Sequence, residues 1–218
     1  MPLSPPRRYV TLAAPAAAET EVRRSRFLCD VAPASTEDGA RAFVDEVRSR
    51  NRDARHHCTA FVLGPDGATA RSNDDGEPSG TAGAPMLDVL RGRGLTDVVA
   101  VVTRWFGGTL LGTGGLIRAY GDAVTAALDT ATPVVRELRK GRVVDVDHAV
   151  GPRVEHALRG LAGVAVGDVE YLATGMRLHL AAAPEAVGEV DRTVATLTSG
   201  VGRVNPGESS WVEASGDD

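Results

Sequence analysis

The sequence predicts an α+β protein of two domains, and three observations lead to that fold class. The chain has 218 residues, more than the roughly 100–150 residues of a common single domain. Apolar residues at helix and strand spacing occur in both halves, and the second half reads as strand, helix, strand, strand, helix, strand. With 43% hydrophobic and 24% charged residues, the composition is that of a packed globular protein.

The first elements are an extended segment and a helix. Apolar residues among arginines from Glu19 to Val31 predict an early strand or hairpin. Ser35 followed by Asp38 resembles an acidic capping box, and the apolar residues after it recur at helical spacing. We therefore expect a helix from about Thr36 to Arg50.

A hairpin, a short helix and a buried strand follow. The runs His57–Leu63 and Ala68–Ser72 flank Pro65-Asp66-Gly67, whose residues favour a turn. Pro85 suits the first turn of a short helix, and Asp97–Trp105 contains a continuous apolar run typical of a central strand. A further helical pattern then closes the first domain.

The second half begins at a proline. Thr132-Pro133 is the predicted linker, because proline is unfavourable inside a helix and a strand-like run follows from Arg142 to Asp147. The predicted domains are residues 1–131, residues 132–207 and an acidic tail at 208–218 that is expected to fray. The order βαββαβ of the second domain is typical of a ferredoxin-like sandwich. Its elements are strand Val143–Val146, helix Pro152–Leu161, strands Val164–Leu172 and Met176–Ala181, helix Pro184–Thr198 and a strand near Val201.

Charge and cysteine content narrow the function classes. The formal net charge of −5 disfavours attraction of the whole molecule to nucleic acid, and no DNA partner is expected. Residues 1–60 carry 10 basic against 8 acidic residues, so a polyanion contact is expected in the first domain. Cys29 and Cys58 predict reduced, core-facing thiols. Because no apolar run approaches the roughly 20 residues of a membrane span and no signal peptide is recognisable, a cytoplasmic protein without membrane contact is expected.

An acidic, glycine-containing loop from Asn73 to Gly83 is the first candidate site. Its carboxylates Asp74, Asp75 and Glu77 offer oxygen ligands for a hard cation, but the spacing of an EF-hand is missing. A solvated turn with local hydrogen bonds explains the same residues, and no metal is assigned. Ser79 lacks the flanking glycines of a nucleophile elbow, which disfavours a catalytic role for it.

The histidine and cysteine that precede this loop also have a structural explanation. Cys58 suits a small buried position, and His57 suits a histidine whose ring bonds a backbone group. His56 and Cys58 lie on one side of a strand, but two neighbours alone do not make a zinc site.

A glycine-rich turn between the buried strand and the next helix is the second candidate site. Free N–H groups at the start of that helix are suited to an anion, and Arg104 and Arg118 add positive charge. The glycines match neither a dinucleotide fingerprint nor a Walker loop, so no nucleotide cofactor is expected. Alternatively, they serve close backbone packing or positive φ.

Three blocks in this order along the chain resemble the signature of the IMPACT/YigZ family. They run from Asn73 to Gly83, from Thr103 to Gly108 and from Leu111 to Gly121. Ser25-Arg26-Phe27 and Ala54–Cys58 extend the resemblance to about residues 9–130. The two-domain layout looks like the bacterial form of the family.

The resemblance implies both a fold and a function. It implies a first α/β domain akin to the second domain of a small-subunit ribosomal protein, and a ferredoxin-like second domain similar to one in elongation factor G. Eukaryotic relatives of the first domain regulate translation under amino-acid stress by competing for a ribosome-associated coactivator of an initiation-factor kinase. By analogy, the resemblance implies a stress-linked translation regulator that binds RNA, the ribosome or a ribosome-associated protein.

The predicted ligand-binding surface has no assigned catalytic residue, and a binding module is favoured over an enzyme. One alternative is a small hydrolase that holds a metal on the acidic loop and phosphate on the glycine-rich turn. Another is a protein-interaction module in which Trp105 and Phe106 form an exposed anchor. The surface consists of Asp74, Asp75, Glu77, Ser79, Gly80, Thr81, Arg104, Gly107, Gly108, Gly112, Gly114, Gly115, Arg118 and Tyr120.

Overall fold

A computed structural model describes residues 6–214 and confirms the α+β prediction. The chain divides into two compact units, Met1–Val135 and Arg136–Asp218. Each unit has a buried apolar core of its own. Among residues 6–214, none of the helices combines the length and apolar composition that a membrane span requires.

A five-stranded antiparallel sheet forms the centre of the first unit. Its strand order is β2-β3-β6-β4-β5, and β6, buried from Val98 to Arg104, is the middle strand, as the continuous apolar run predicts. The predicted early hairpin and the hairpin around Pro65-Asp66-Gly67 are both confirmed. The strands of this unit are β1 (Arg8–Leu12), β2 (Ala16–Val22), β3 (Ser25–Pro33), β4 (His56–Leu63), β5 (Thr69–Asn73) and β6 (Val98–Trp105).

Helices cover both faces of this sheet. The helices are α1 (Glu37–Arg50), α2 (Gly83–Gly92) and α3 (Thr113–Thr130). Val98, Ala100 and Val102 of β6 belong to the core beneath α2 and α3, whereas Val99 and Val101 pack with α1. Because side chains alternate along a strand, the five apolar residues from Val98 to Val102 divide between the two helical layers.

The start of α1 differs from the predicted capping box. Thr36, rather than Ser35, is the N-cap, and its side chain accepts a hydrogen bond of 3.0 Å from the backbone N–H of Gly39. The extended backbone of Thr36 places its hydroxyl over the third residue of the helix, which is the usual geometry of an N-cap threonine. Glu37 and Asp38 then occupy the first turn, where carboxylates favour the positive end of the helix dipole.

The second unit is a ferredoxin-like sandwich. Its strand order β10-β7-β9-β8 is antiparallel throughout, and Val154 of α4 and Val190 of α5 pack in the same core as the sheet. The elements are β7 (Pro133–Val146), α4 (Gly151–Arg159), β8 (Val164–Leu172), β9 (Gly175–Ala182), α5 (Val187–Leu197), β10 (Arg203–Pro206) and β11 (Ser210–Glu213).

Two details at the ends of this unit differ from the sequence predictions. The units divide after Val135, close to the predicted boundary, but Pro133 opens the long strand β7, because its missing N–H is tolerated at the first residue of a strand. The tail that was expected to fray contains β11, whose residues pair with Arg136–Arg139 of β7. This segment is ordered by backbone pairing with β7, which its mostly polar sequence does not predict. Residues 215–218 of the predicted tail lie outside the described residues.

A close backbone crossing holds the tail against β7. The N–H of Gly207 donates to the carbonyl of Gly141 at 2.9 Å. A Cβ at Gly141 would lie 2.1 Å from the carbonyl oxygen of Glu208, closer than any real contact. Only glycine therefore fits at this point of β7.

We expect Gly141→Ala to loosen β11, because the backbone must shift to admit the methyl group. The expected cost is about 2 kcal/mol, seen as roughly 30-fold faster hydrogen exchange of the β11 amides. Gly188→Ala is the matched control, since nothing lies within 4 Å of its Cβ position in α5 and alanine favours a helix. Unchanged exchange in Gly141→Ala would contradict the crossing.

Candidate functional site

The predicted site residues gather at one end of the first unit's sheet. Cross-strand pairing sets Arg26 opposite Trp105 and His56 opposite Arg104, so β3 and β4 begin where β6 ends. The loop from Asn73 to Gly83 leaves β5 at the same end. The sheet register therefore assembles residues that are far apart in the sequence.

Asp74 closes the acidic loop onto the start of α2. Its carboxylate accepts hydrogen bonds from the backbone N–H groups of Gly80, Ala82 and Gly83 at 2.8, 3.0 and 2.8 Å. Burial by itself raises the pKa of the Asp74 carboxyl, but these hydrogen bonds outweigh it and the pKa is lowered. The carboxylate thus occupies the anion-binding end of α2.

Asp75 joins the loop to α1 and β4. Its carboxylate receives hydrogen bonds of 2.7 Å from Arg48 and from the backbone N–H of His57. The buried ring of His57 contacts the Asn51 carbonyl oxygen through Nε2 at 3.1 Å, which confirms the expected backbone partner. The φ of +43° at Asp75 shows a tight reversal that these contacts hold in place.

Glu77 takes part in a buried polar cluster beneath the loop. Its Oε1 accepts hydrogen bonds from Arg104 Nη1 at 2.5 Å and from the Tyr120 hydroxyl at 2.8 Å. The side chains of Glu77 and Arg104 are only 4% and 7% exposed. We call Glu77, Arg104 and Tyr120 the buried triad; it joins the loop, β6 and α3.

The three carboxylates of the acidic loop are held apart by different partners. Each of these carboxylates has protein partners, and these partners differ from one carboxylate to the next. Among residues 6–214, no group of three or more His, Cys, Asp or Glu side chains is placed to hold a metal ion. The geometry therefore gives no support to the metal-dependent hydrolase.

The two thiols are core residues, as expected. Cys29 and Cys58 are both fully buried and unpaired with each other. Burial raises the pKa of Cys58 to about 12, so the thiol stays protonated near neutral pH and is a poor nucleophile. It donates to the Asp74 carbonyl at 3.0 Å and so supports the loop.

Gly107 of the glycine-rich turn packs closely against the backbone of the β2–β3 turn. A Cβ at Gly107 would lie 2.0 Å from the Arg24 backbone, and the Gly107 N–H donates to Ser25 Oγ at 3.1 Å. Gly107 therefore lets β6 end against the β2–β3 turn. Gly112 is the N-cap of α3 with φ of +71° and no side-chain cap, which leaves the first N–H groups of that helix uncapped by a side chain.

The predicted surface residues separate into two groups. Asp74, Asp75, Glu77, Thr81, Arg104, Gly107, Gly115 and Tyr120 are buried or half-buried. Ser79, Gly80, Gly108, Gly112, Gly114 and Arg118 are exposed. Arg104 and Arg118 do not share one anion site, because the guanidinium of Arg104 pairs with Glu77 under the loop.

Several exposed residues of this end were not predicted as site residues. The Trp105 indole donates from Nε1 to Asp53 at 2.9 Å, and the Arg26 guanidinium lies 3.8 Å from the centre of its ring. Four further exposed arginines lie beside these groups, on the β2–β3 turn and on the segment between α1 and β4. The basic excess of residues 1–60 was their only signal in the sequence. They are Arg23, Arg24, Arg52 and Arg55.

A cleft of about 550 Å³ lies in the second unit, where the sequence analysis placed no site. Its lining includes Val146, Met176 and Arg203. Asp145, which also lines it, accepts hydrogen bonds from Arg177 Nε and Nη2 at 2.7 and 3.3 Å. The cleft thus combines apolar residues with a paired and an exposed arginine.

Replacement of Asp74 by asparagine should destabilise the first unit in a pH-dependent way. Because the pKa of Asp74 is lowered in the folded state, its stabilisation is present above the unfolded pKa of about 3.9 and is lost as pH falls through the folded value. Wild type should thus exceed Asp74→Asn in stability by a constant margin from about pH 5 to 8, and the margin should shrink below about pH 4. Urea unfolding of both proteins at each pH measures this difference in the free energy of unfolding. An equal margin for the exposed Asp38→Asn would contradict the role of Asp74.

Loss of the Glu77 charge should cost more than loss of an exposed group on the same loop. Glu77→Gln leaves the buried guanidinium of Arg104 without its counter-ion, at an expected cost of about 3–5 kcal/mol. Ser79→Ala, on the exposed side of the loop, should change stability by less than about 0.5 kcal/mol. Urea unfolding followed by circular dichroism measures both, and similar values would refute the triad's role.

Comparison with known proteins identifies relatives along almost the whole chain. The family model of the Impact N-terminal domain matches residues 23–128 of this sequence. The IMPACT family member YvyE of Bacillus subtilis is 35% identical over 205 residues, which cover 94% of each chain. YigZ of Escherichia coli is 49% identical over 122 residues, covering 55% of this chain and 60% of YigZ. A crystal structure of a hypothetical protein, 35% identical, superposes with a TM-score of 0.68 over 93% of this chain and 98% of its own. The chain therefore belongs to the IMPACT family.

Proposed function

We propose that this protein regulates translation by binding a component of the translation apparatus through the loop between β6 and α3. The observation that carries the proposal is the concentration of exposed apolar side chains there. Phe106 and Leu110 of the loop and Ile117 in the first turns of α3 are 50%, 81% and 40% exposed. Exposed apolar residues grouped in one segment are typical of interaction sites.

The surroundings of this loop suit a binding surface. Arg118 is exposed one residue after Ile117 and has no ion pair within residues 6–214. The uncapped start of α3 adds backbone N–H donors beside the apolar residues. Apolar anchors next to an arginine and free donors are the composition that interface centres favour.

The link to translation comes from the family. A yeast protein named as an IMPACT homolog is 36% identical over 95 residues, covering 41% of this chain and 36% of its own length. The resemblance implies that eukaryotic relatives of the first domain regulate translation, and the β6–α3 loop lies within the residues that the family model matches. Glu77 bonds Arg104 and Tyr120 inside the protein, which leaves the exposed residues of the loop available to a partner.

The experiment is a comparison of the RNAs and proteins that co-purify with tagged variants. Leu110→Ser combined with Ile117→Ser should reduce recovery of ribosomal RNA or translation factors by at least about tenfold, as expected when interface anchors are removed. Tyr171→Ser combined with Val201→Ser is the matched control, since both residues are exposed apolar residues of the second unit. If the loop variant and wild type recover the same translation components, this loop is not the binding surface.

A further inference from the structure

Four exposed arginines lie on the two chain segments that adjoin Trp105 at the end of the first unit's sheet. Arg23 and Arg24 form the β2–β3 turn, and Arg52 and Arg55 flank Asp53, which bonds the Trp105 indole. All four side chains belong to exposed residues, and among residues 6–214 none of them has an ion pair or hydrogen bond. We call these residues, with Arg26 and Trp105, the arginine end.

The backbone of the β2–β3 turn is strained by its own sequence. Val22 pairs with Ser25, so Arg23 and Arg24 are the two central residues of the turn, with φ of +48° and +66°. Two central residues at positive φ are the pattern of a type I′ turn, for which asparagine and glycine are favoured. Arginine has no conformational advantage at either position, so folding does not explain this pair.

Arg26 presents a flat surface to solvent. Its guanidinium lies 3.8 Å from the centre of the Trp105 ring, and its side chain is 47% exposed. Glu19, 3.7 Å from Nε, and Asp53, on the indole, hold this stack in place. A guanidinium plane fixed on an aromatic ring is a surface on which an unpaired base can stack.

The local charge favours a polyanion although the whole chain is acidic. The arginine end has five arginines, whereas the neighbouring strand β2 and the segment before β4 contribute three carboxylates, those of Glu19, Glu21 and Asp53, which leaves an excess of positive charge. The chain as a whole has a net charge of −5. The positive charge is thus a local feature that can attract phosphates without general affinity for polyanions.

We infer that the arginine end binds single-stranded nucleic acid, with a base stacked on Arg26 and with Arg23, Arg24, Arg52 and Arg55 paired to phosphates. Stacking on a small plane requires an unpaired base, which selects single strands over duplexes. The α1 side of the sheet, where Trp105 packs, carries this site, and the β6–α3 loop of the proposed function is not part of it. RNA and DNA share the chemistry used here, so both are tested.

Binding is measured by fluorescence anisotropy with a labelled oligouridylate and oligodeoxythymidylate of about 12 nucleotides, within the usual range of single-strand sites. With four phosphate contacts, wild-type affinity should fall about 50-fold between 50 and 200 mM salt. Binding of both oligomers supports the site, and stronger binding of the uridylate identifies RNA as its ligand. Binding of neither oligomer at 50 mM salt overturns the inference, as does equal binding of an RNA duplex or tighter binding of labelled polyglutamate.

Variants separate phosphate contacts from stacking. Arg52→Gln with Arg55→Gln should weaken binding and lower the salt slope by about 1.4. Arg26→Lys keeps the charge but loses the plane, so affinity should fall about tenfold with an unchanged slope. The matched control is Arg153→Gln with Arg192→Gln, two exposed arginines of the second unit. An equal loss in the control would show that only net charge matters and would refute the site.

The turn itself gives a variant in which misfolding cannot imitate the result. Arg23→Asn with Arg24→Gly supplies the residues that the turn geometry favours, so it should melt at a higher temperature than wild type. The same variant should bind the oligomers at least about fivefold more weakly, since two phosphate contacts are lost. A more stable variant with undiminished affinity would overturn the assignment of these arginines.

Discussion

The buried ion pair between Glu77 and Arg104 is the contact on which the end of the first unit depends. It joins a loop to the central strand, and the Tyr120 hydroxyl extends it to α3. Two opposite charges away from water stabilise a structure only when both are present and well hydrogen-bonded. The loop, β6 and α3 are therefore expected to be ordered together.

This constraint explains why the most distinctive residues of the chain are largely structural. Asp74 caps α2 from a distance, and Asp75 holds α1 and β4 against the same loop. Both carboxylates have hydrogen-bond partners within the fold. The conspicuous acidic loop is best understood as a clamp that fixes the surface around it.

The groups proposed to bind partners are side chains that contribute little to the stability of the fold. Exposed apolar side chains at the β6–α3 loop, and the arginines near Trp105 that have no ion pair within residues 6–214, contribute little to the core. The Arg23–Arg24 turn is unfavourable for folding, as expected when a functional residue occupies a strained position. The two proposed surfaces thus consist of exposed side chains at one end of the sheet.

Much of the fold followed from the sequence alone. The apolar run of β6, the turn residues at Pro65-Asp66-Gly67 and the βαββαβ order are local patterns, and local patterns survive in the folded protein. The order of β11 was not predictable in the same way, because it depends on backbone pairing with a strand far away in the sequence. The family resemblance was also readable, since it rests on residue identity rather than on geometry.

What only the tertiary structure decided is which candidate residues are free. Arg104 and Arg118 look equivalent in the sequence, yet strand register places Arg104 under the loop and leaves Arg118 exposed. Likewise, no local pattern reveals that Arg26 stacks on Trp105, because the two residues are neighbours only across paired strands. The sequence determined the residue types and most of the elements; long-range pairing determined the contacts and exposures on which function depends.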